Sequence, residues 1–124
     1  MSRMLILEDN EERQQTLRRR FPDAVIVATS PACIDHLAEH WDEIWLDHDL
    51  GGHLLEDGRE DCGRLVVLYI LENQPEHLKN TTFIVHSANT HRARGMAEDL
   101  QRAGYHAVCR SYINLLPELN KPPE

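Results

Sequence analysis

Apolar residues fall along the chain in short runs separated by longer stretches of mixed character. "MLIL" (Met4–Leu7), "AVIVA" (residues 24–28), "EIWLD" (Glu43–Asp47), "TFIVH" (Thr82–His86) and "HAVCR" (His106–Arg110) have the length and branched content of strands. "AVIVA" is almost wholly apolar, the pattern of a strand covered on both faces. Between these runs the period becomes helical. Residues 11–21 set Leu17 and Phe21 four apart on one face, with Asn10 as the cap. Ser30 and Pro31 open a second helix that ends near His40. Residues 90–103 align Ala93, Met96, Ala97 and Leu100, and Gly104 stops them. "CGRLVVLYILENQP" has strand-like residues, but a crossover between parallel strands is needed there, which predicts a helix closed by Pro75. Residues 48–61 read as a long loop and residues 117–124 as a tail.

That alternation predicts an α/β fold, a parallel sheet with helices on both faces. With 124 residues the chain can bury one core but not two, so residues 1–124 read as one domain. No apolar run approaches a membrane span or a signal peptide, and the expectation is a cytoplasmic protein with no membrane contact. Cys33, Cys62 and Cys109 are too unevenly spaced for a zinc motif or a disulfide framework and read as reduced, mostly buried thiols. A formal net charge of −8 argues against binding a long nucleic acid, whose phosphates require a basic surface. A small phosphate ester or an RNA end remains compatible. The tight basic cluster Arg18, Arg19 and Arg20 is expected to be solvated on its helix.

Ligands of an open parallel sheet bind beyond the carboxyl ends of its strands. Those ends carry Glu8 and Asp9, then Asp47, His48 and Asp49, then His86 and Ser87, and finally Arg110. Asp47 stands out, because a carboxylate ending a buried strand is costly unless it is used or paired. Structural roles compete for the others. His48 could decorate a glycine-rich turn, His86 could be a hydrogen-bonded core residue, and Ser87 and Asn89 could cap the following helix. Glu8 and Asp9 could face a helix N-terminus, and Arg13 could merely pair with Asp9 or Glu12.

Over residues 4–112 these features resemble the receiver domains of response regulators. The acidic pair in "LEDN", Asp47 in "WLDHDLGG", Asp57 with Gly58, and Ser87 with Ala88 fit that family's pattern, and "CRSY" stands where receivers carry Lys, Pro and an aromatic. His86 replaces an aliphatic residue, His48 and Asp49 follow the acceptor-like Asp47, and Arg110 replaces a lysine. Arginine keeps the charge but not the compact ammonium geometry. "LED", Arg13, "LDHDLGG", "HSAN" and "AGY" are closer to a derived branch, the cyclic-phosphate-processing receiver domains. This resemblance implies a flavodoxin-like sheet of order 2-1-3-4-5. It also implies hydrolysis of cyclic phosphates such as 2′,3′-cyclic nucleotides or RNA ends.

Opening a cyclic phosphodiester requires a base for water and an acid for the leaving alkoxide, and histidine titrates near neutrality for both roles. His48 and His86 are the expected pair, with Asp47 or Asp49 orienting an imidazole, and which ring is the acid stays open. Adjacent strands lie about 4.8 Å apart, so both rings could flank one phosphate. Ser87, Asn89 and Arg110 would then donate to its oxygens. A metal offers a second route. Glu8, Asp9 and Asp47 would make a hard-oxygen Mg²⁺ site of the kind receivers use, and His48 or His86 would shift preference toward Mn²⁺ or Zn²⁺. Two rival readings are a stand-alone receiver phosphorylated on Asp47, which shows a changed surface to a partner, and a nucleotide- or metal-binding module without catalysis.

Overall fold

In the computed structural model, which describes residues 3–86, 90–111, 117 and 119, the chain opens with β1 (Met4–Leu7), α1 (Glu11–Arg20), β2 (Val25–Val27), α2 (Ser30–Asp35) and β3 (Glu43–Asp47). It continues through β4 (Asp49–Leu54), β5 (Glu60–Cys62), α3 (Arg64–Asn73), a 3₁₀ turn (Glu76–Leu78), β6 (Thr82–His86), α4 (Thr90–Arg102) and β7 (His106–Arg110). The five apolar strands pair in parallel in the order β2-β1-β3-β6-β7. Counting those five alone, this is the 2-1-3-4-5 order that the resemblance implies.

The difference lies between β3 and α3, where the expected loop is a separate antiparallel hairpin of β4 and β5. Its tip is built by an Asp-Gly pair, a strong hairpin signal. Gly58 takes φ +84, Leu55 N donates to Arg59 O at 2.8 Å, and Asp57 Oδ1 accepts from Arg59 N at 3.0 Å.

Helix ends follow local chemistry. The Asn10 side chain accepts from Arg13 N at 3.0 Å, as expected, and acids in the first turn with arginines in the last suit the helix dipole. Arg20 is not solvated as its cluster predicts. It is only 8% exposed, with its guanidinium 4.9 Å from the Phe21 ring centre. The second helix is capped one residue earlier than expected. The Thr29 hydroxyl accepts from Ala32 N at 3.2 Å, which leaves the Ser30 hydroxyl free to bond elsewhere, and the helix stops at Asp35, short of His40. The apolar run of α3 is helical, with Val66, Val67 and Ile70 buried and Leu68 and Tyr69 exposed.

Two cores flank the sheet. On one face Leu5, Leu7, Ile44, Leu46, Phe83 and Val85 pack under side chains of α2, α3 and α4. On the other, Met4, Ile6, Trp45 and Ile84 meet Leu17 of α1 and Leu119. Leu119 lies in the stretch read as a tail, yet it is fully buried. The apolar β2 is an edge strand and only half-buried. Cys33 is buried as expected, whereas Cys62 is half-buried in the hairpin and Cys109 is exposed next to the end of the other edge strand. Among the described residues no helix is long and apolar enough to cross a membrane.

Candidate functional site

Side chains alternate between the faces of a strand. The face that carries Ile6, Trp45 and Ile84 therefore receives Glu8, Asp47 and His86 at the carboxyl ends of β1, β3 and β6. Strand register then brings the three together. Ile6 is opposite Trp45 and Asp47 is opposite His86, while Glu8 N prolongs the β1 ladder by donating to Val27 O at 2.9 Å. One potential donor atom from each residue lies within 4.8 Å of the other two. Exposure is 0% for Glu8, 2% for Asp47 and 0% for His86, so this is an interior cluster and not a solvated acidic edge.

Aromatic and polar side chains pack around this cluster. The Trp45 ring lies edge-on to His86 with centroids 6.0 Å apart, and Phe21 meets Trp45 at 5.5 Å. The Asn10 cap fixes the turn from which Arg13 reaches back, placing Nη1 3.5 Å from Glu8 Oε1, and the Gln14 amide donates to the Glu8 carbonyl at 2.6 Å. Across the site, Gly63 N donates to His48 O at 2.9 Å. A Cβ at Gly63 would stand 1.9 Å from the Asp47 carbonyl oxygen, so only glycine permits the chain to return this close to β3.

Burial dominates the electrostatics. It pushes the Glu8 carboxyl up to about 9, reinforced by the hydrogen bond and charge of Asp47 and the charge of Asp9, against the opposing pull of Arg13. Neither Glu8 oxygen accepts a hydrogen bond among the described residues. Burial also pushes the His86 imidazole down to about 3, helped by the positive charge of Arg13. At neutral pH His86 is a neutral ring, able to hold a cation but not to act as an imidazolium acid.

The expected site residues divide accordingly. Asp47, Glu8 and His86 are together. Asp9, half-buried, and His48, 8% exposed, lie outside the three-residue cluster, although both adjoin it in sequence. Arg110 is exposed at the end of β7, in register with His86. Ser87 and Asn89 lie outside the described residues, as does the side chain of Asp49, whose backbone begins β4. For the metal set, the donors that converge are two carboxylates and an imidazole, with His86 and not Asp9 completing the group.

Arg13, which the sequence offers as a partner of Asp9 or Glu12, also faces Glu8 from the turn that the Asn10 cap sets. Asp61 was not singled out. It is 2% exposed, accepts from Ser30 N at 3.0 Å and from the Ser30 hydroxyl, and thereby ties the hairpin to the start of α2. Nothing local in the sequence marks that contact, which spans 31 positions.

Comparison with known proteins bears on the fold and the family. The chain resembles the crystal structure of a response regulator from Colwellia psychrerythraea with a TM-score of 0.60, covering 95% of this chain and 93% of that one. At 16% identity the likeness is one of fold. No curated protein matches the chain. The family model of the cyclic-phosphate processing receiver domain matches residues 3–102, a span that includes Glu8, Arg13, Asp47, Gly63 and His86. The chain thus belongs to the cyclic-phosphate processing receiver domain family.

Proposed function

We propose that the protein is a phosphoesterase that hydrolyses cyclic phosphates, such as 2′,3′-cyclic nucleotides or RNA ends, at the carboxyl edge of β1, β3 and β6. The observation that carries this reading is the convergence of Glu8, Asp47 and His86 at that edge, in a chain whose family is linked to cyclic-phosphate processing. Hydrolysis needs a proton taken from water and one given to the leaving alkoxide. Asp47 is the acceptor at the centre of the cluster. His48, next in the chain, is the donor, because an imidazole ring nitrogen can give up its proton. Burial removes His86 from the donor role and leaves it as a neutral ligand. Arg13 and Arg110 supply positive charge to phosphate oxygens. Ser87, Asn89 and Asp49 keep their assignment to substrate contact from their places after the strands. Carboxylate charge at this edge repels an anionic phosphate, and a dication held by Glu8 and Asp47, taking the place of the Glu8 proton, would offset that repulsion and polarise water.

Incubation of the purified chain with nucleoside 2′,3′-cyclic monophosphates, with Mg²⁺, Mn²⁺ or EDTA, tests the reading. Turnover to a nucleoside monophosphate is expected by chromatography, and its regioisomer identifies the P–O bond that breaks. His48→Ala should lower the rate by about a hundredfold or more. No turnover under any condition, with acetyl phosphate labelling Asp47 instead, would replace this reading with the phosphoacceptor receiver.

A further inference from the structure

The three residues that converge beneath the strand ends differ chemically from an all-oxygen Mg²⁺ site. Glu8 and Asp47 supply carboxylate oxygens and His86 supplies a ring nitrogen, each with a donor within 4.8 Å of the others. Three atoms bound at about 2.1 Å to one ion average no more than about 3.6 Å apart, so a closure of about 1.2 Å brings all three within ligand range. Such a shift lies within side-chain motion. The cluster is also buried, which separates it from the acidic patches that occur on many surfaces without an ion. A second observation concerns Glu8 alone: both its oxygens are inaccessible, and neither accepts a hydrogen bond among the described residues. The Arg13 guanidinium, 3.5 Å from Oε1, pairs with this carboxyl without a hydrogen bond, so its desolvation is only partly compensated, and a bound cation supplies the rest.

We infer that Glu8, Asp47 and His86 form a binding site for a first-row transition dication, Mn²⁺ or Zn²⁺, in which the imidazole of His86 selects against Mg²⁺. The selectivity follows from donor type. Imidazole suits zinc and the later transition ions, whereas Mg²⁺ prefers oxygen and holds its own waters. Trp45 fixes the plane of the His86 ring through its edge-on contact. Asp9, the second member of the acidic pair, lies outside this group of donors. Metal binding by these three residues does not depend on the phosphoesterase reading, because it needs no substrate.

The test is direct binding. The full chain, stripped with EDTA, is titrated with Co²⁺ while its visible absorption is followed, and Zn²⁺, Mn²⁺ and Mg²⁺ are then used as competitors. One ion per chain is expected, displaced by Zn²⁺ at concentrations at least about a hundredfold below those needed for Mg²⁺. His86→Ala and Glu8→Gln should each weaken Zn²⁺ binding by about tenfold or more, with circular dichroism reporting whether each variant is folded. Should His86→Ala fail to fold, the ring resonances of His86 in the wild-type chain supply the same information, since Zn²⁺ must shift them. Absence of binding to the wild-type chain overturns the proposal. So do folded variants that bind as tightly as the wild type, unchanged His86 resonances on addition of Zn²⁺, or Mg²⁺ competing as well as Zn²⁺. A chain that binds Zn²⁺ through these residues yet turns over no cyclic phosphate would refute the proposed activity and leave the metal site standing.

Discussion

Leu7, Leu46 and Val85 neighbour Glu8, Asp47 and His86 one for one along the chain, at the ends of the same three strands. Both sets are sealed from solvent, at 0% for the aliphatic residues and 0 to 2% for the polar ones. They differ by a single step of strand alternation, which turns one set toward α2, α3 and α4 and the other toward α1. On the aliphatic side burial is itself the stabilising force. On the polar side the same burial disfavours charge, as the opposite displacements of Glu8 and His86 record. Equal burial therefore marks a core on one face and a place held against its own desolvation cost on the other, which is the usual mark of a functional site.

The largest difference between the faces should appear on truncation. Leu46→Ala removes core contacts and leaves a cavity, and urea denaturation should register a loss of about 2 to 5 kcal/mol. Glu8→Gln should do the reverse at alkaline pH. In the folded chain Glu8 titrates at about 9, against an ordinary 4.5, so between those values the native state holds a proton that the unfolded chain has released. Stability contributed by protonated Glu8 is full below 4.5 and is lost as pH rises toward 9. His86 acts in the opposite sense, titrating at about 3 against 6.5, so its contribution is lost as pH falls below 6.5. The two oppose each other from pH 4.5 to 6.5, and above 6.5 Glu8 acts alone. In EDTA the wild-type chain should lose stability there at up to about 1.4 kcal/mol per pH unit. Glu8→Gln should flatten that limb, and an unchanged slope would assign it to another group. The smallest effect concerns the hairpin. Ser30→Ala deprives buried Asp61 of its hydroxyl donor and should cost about 1 kcal/mol by urea denaturation, with the Ser30 backbone N–H bond retained.

Much of this architecture could be read before any coordinates. The five strands are short apolar runs bounded by polar residues, and each recurs within a residue or so of its expected limits; two-sided burial demands such runs in the central β1, β3 and β6, whereas the edge strands β2 and β7 are only partly buried. The hairpin could not be read in the same way. Its strands carry Asp49, His53, Glu60 and Asp61 with no sustained alternation, and the Asp57–Gly58 signal stood without the flanking pattern that normally accompanies it. The cap of α2 was misplaced by one residue because Thr29 and Ser30 are chemically equivalent caps, and the distant Asp61 decided between them.

From the sequence alone one could name the strands, the edge at which ligands gather, the family resemblance and Asp47 as the central carboxylate. Each of these rests on local composition or on short motifs. Tertiary structure decided which neighbours join Asp47. Glu8 and Asp9 are adjacent in the chain and both acidic, and His48 and His86 are both histidines near strand ends. The continuation of β1 pairing through Glu8 N, and the register that sets Asp47 opposite His86, chose one member of each pair. That choice depends on strand register and on the path of α1 across the sheet, and both are set by packing between residues far apart in sequence.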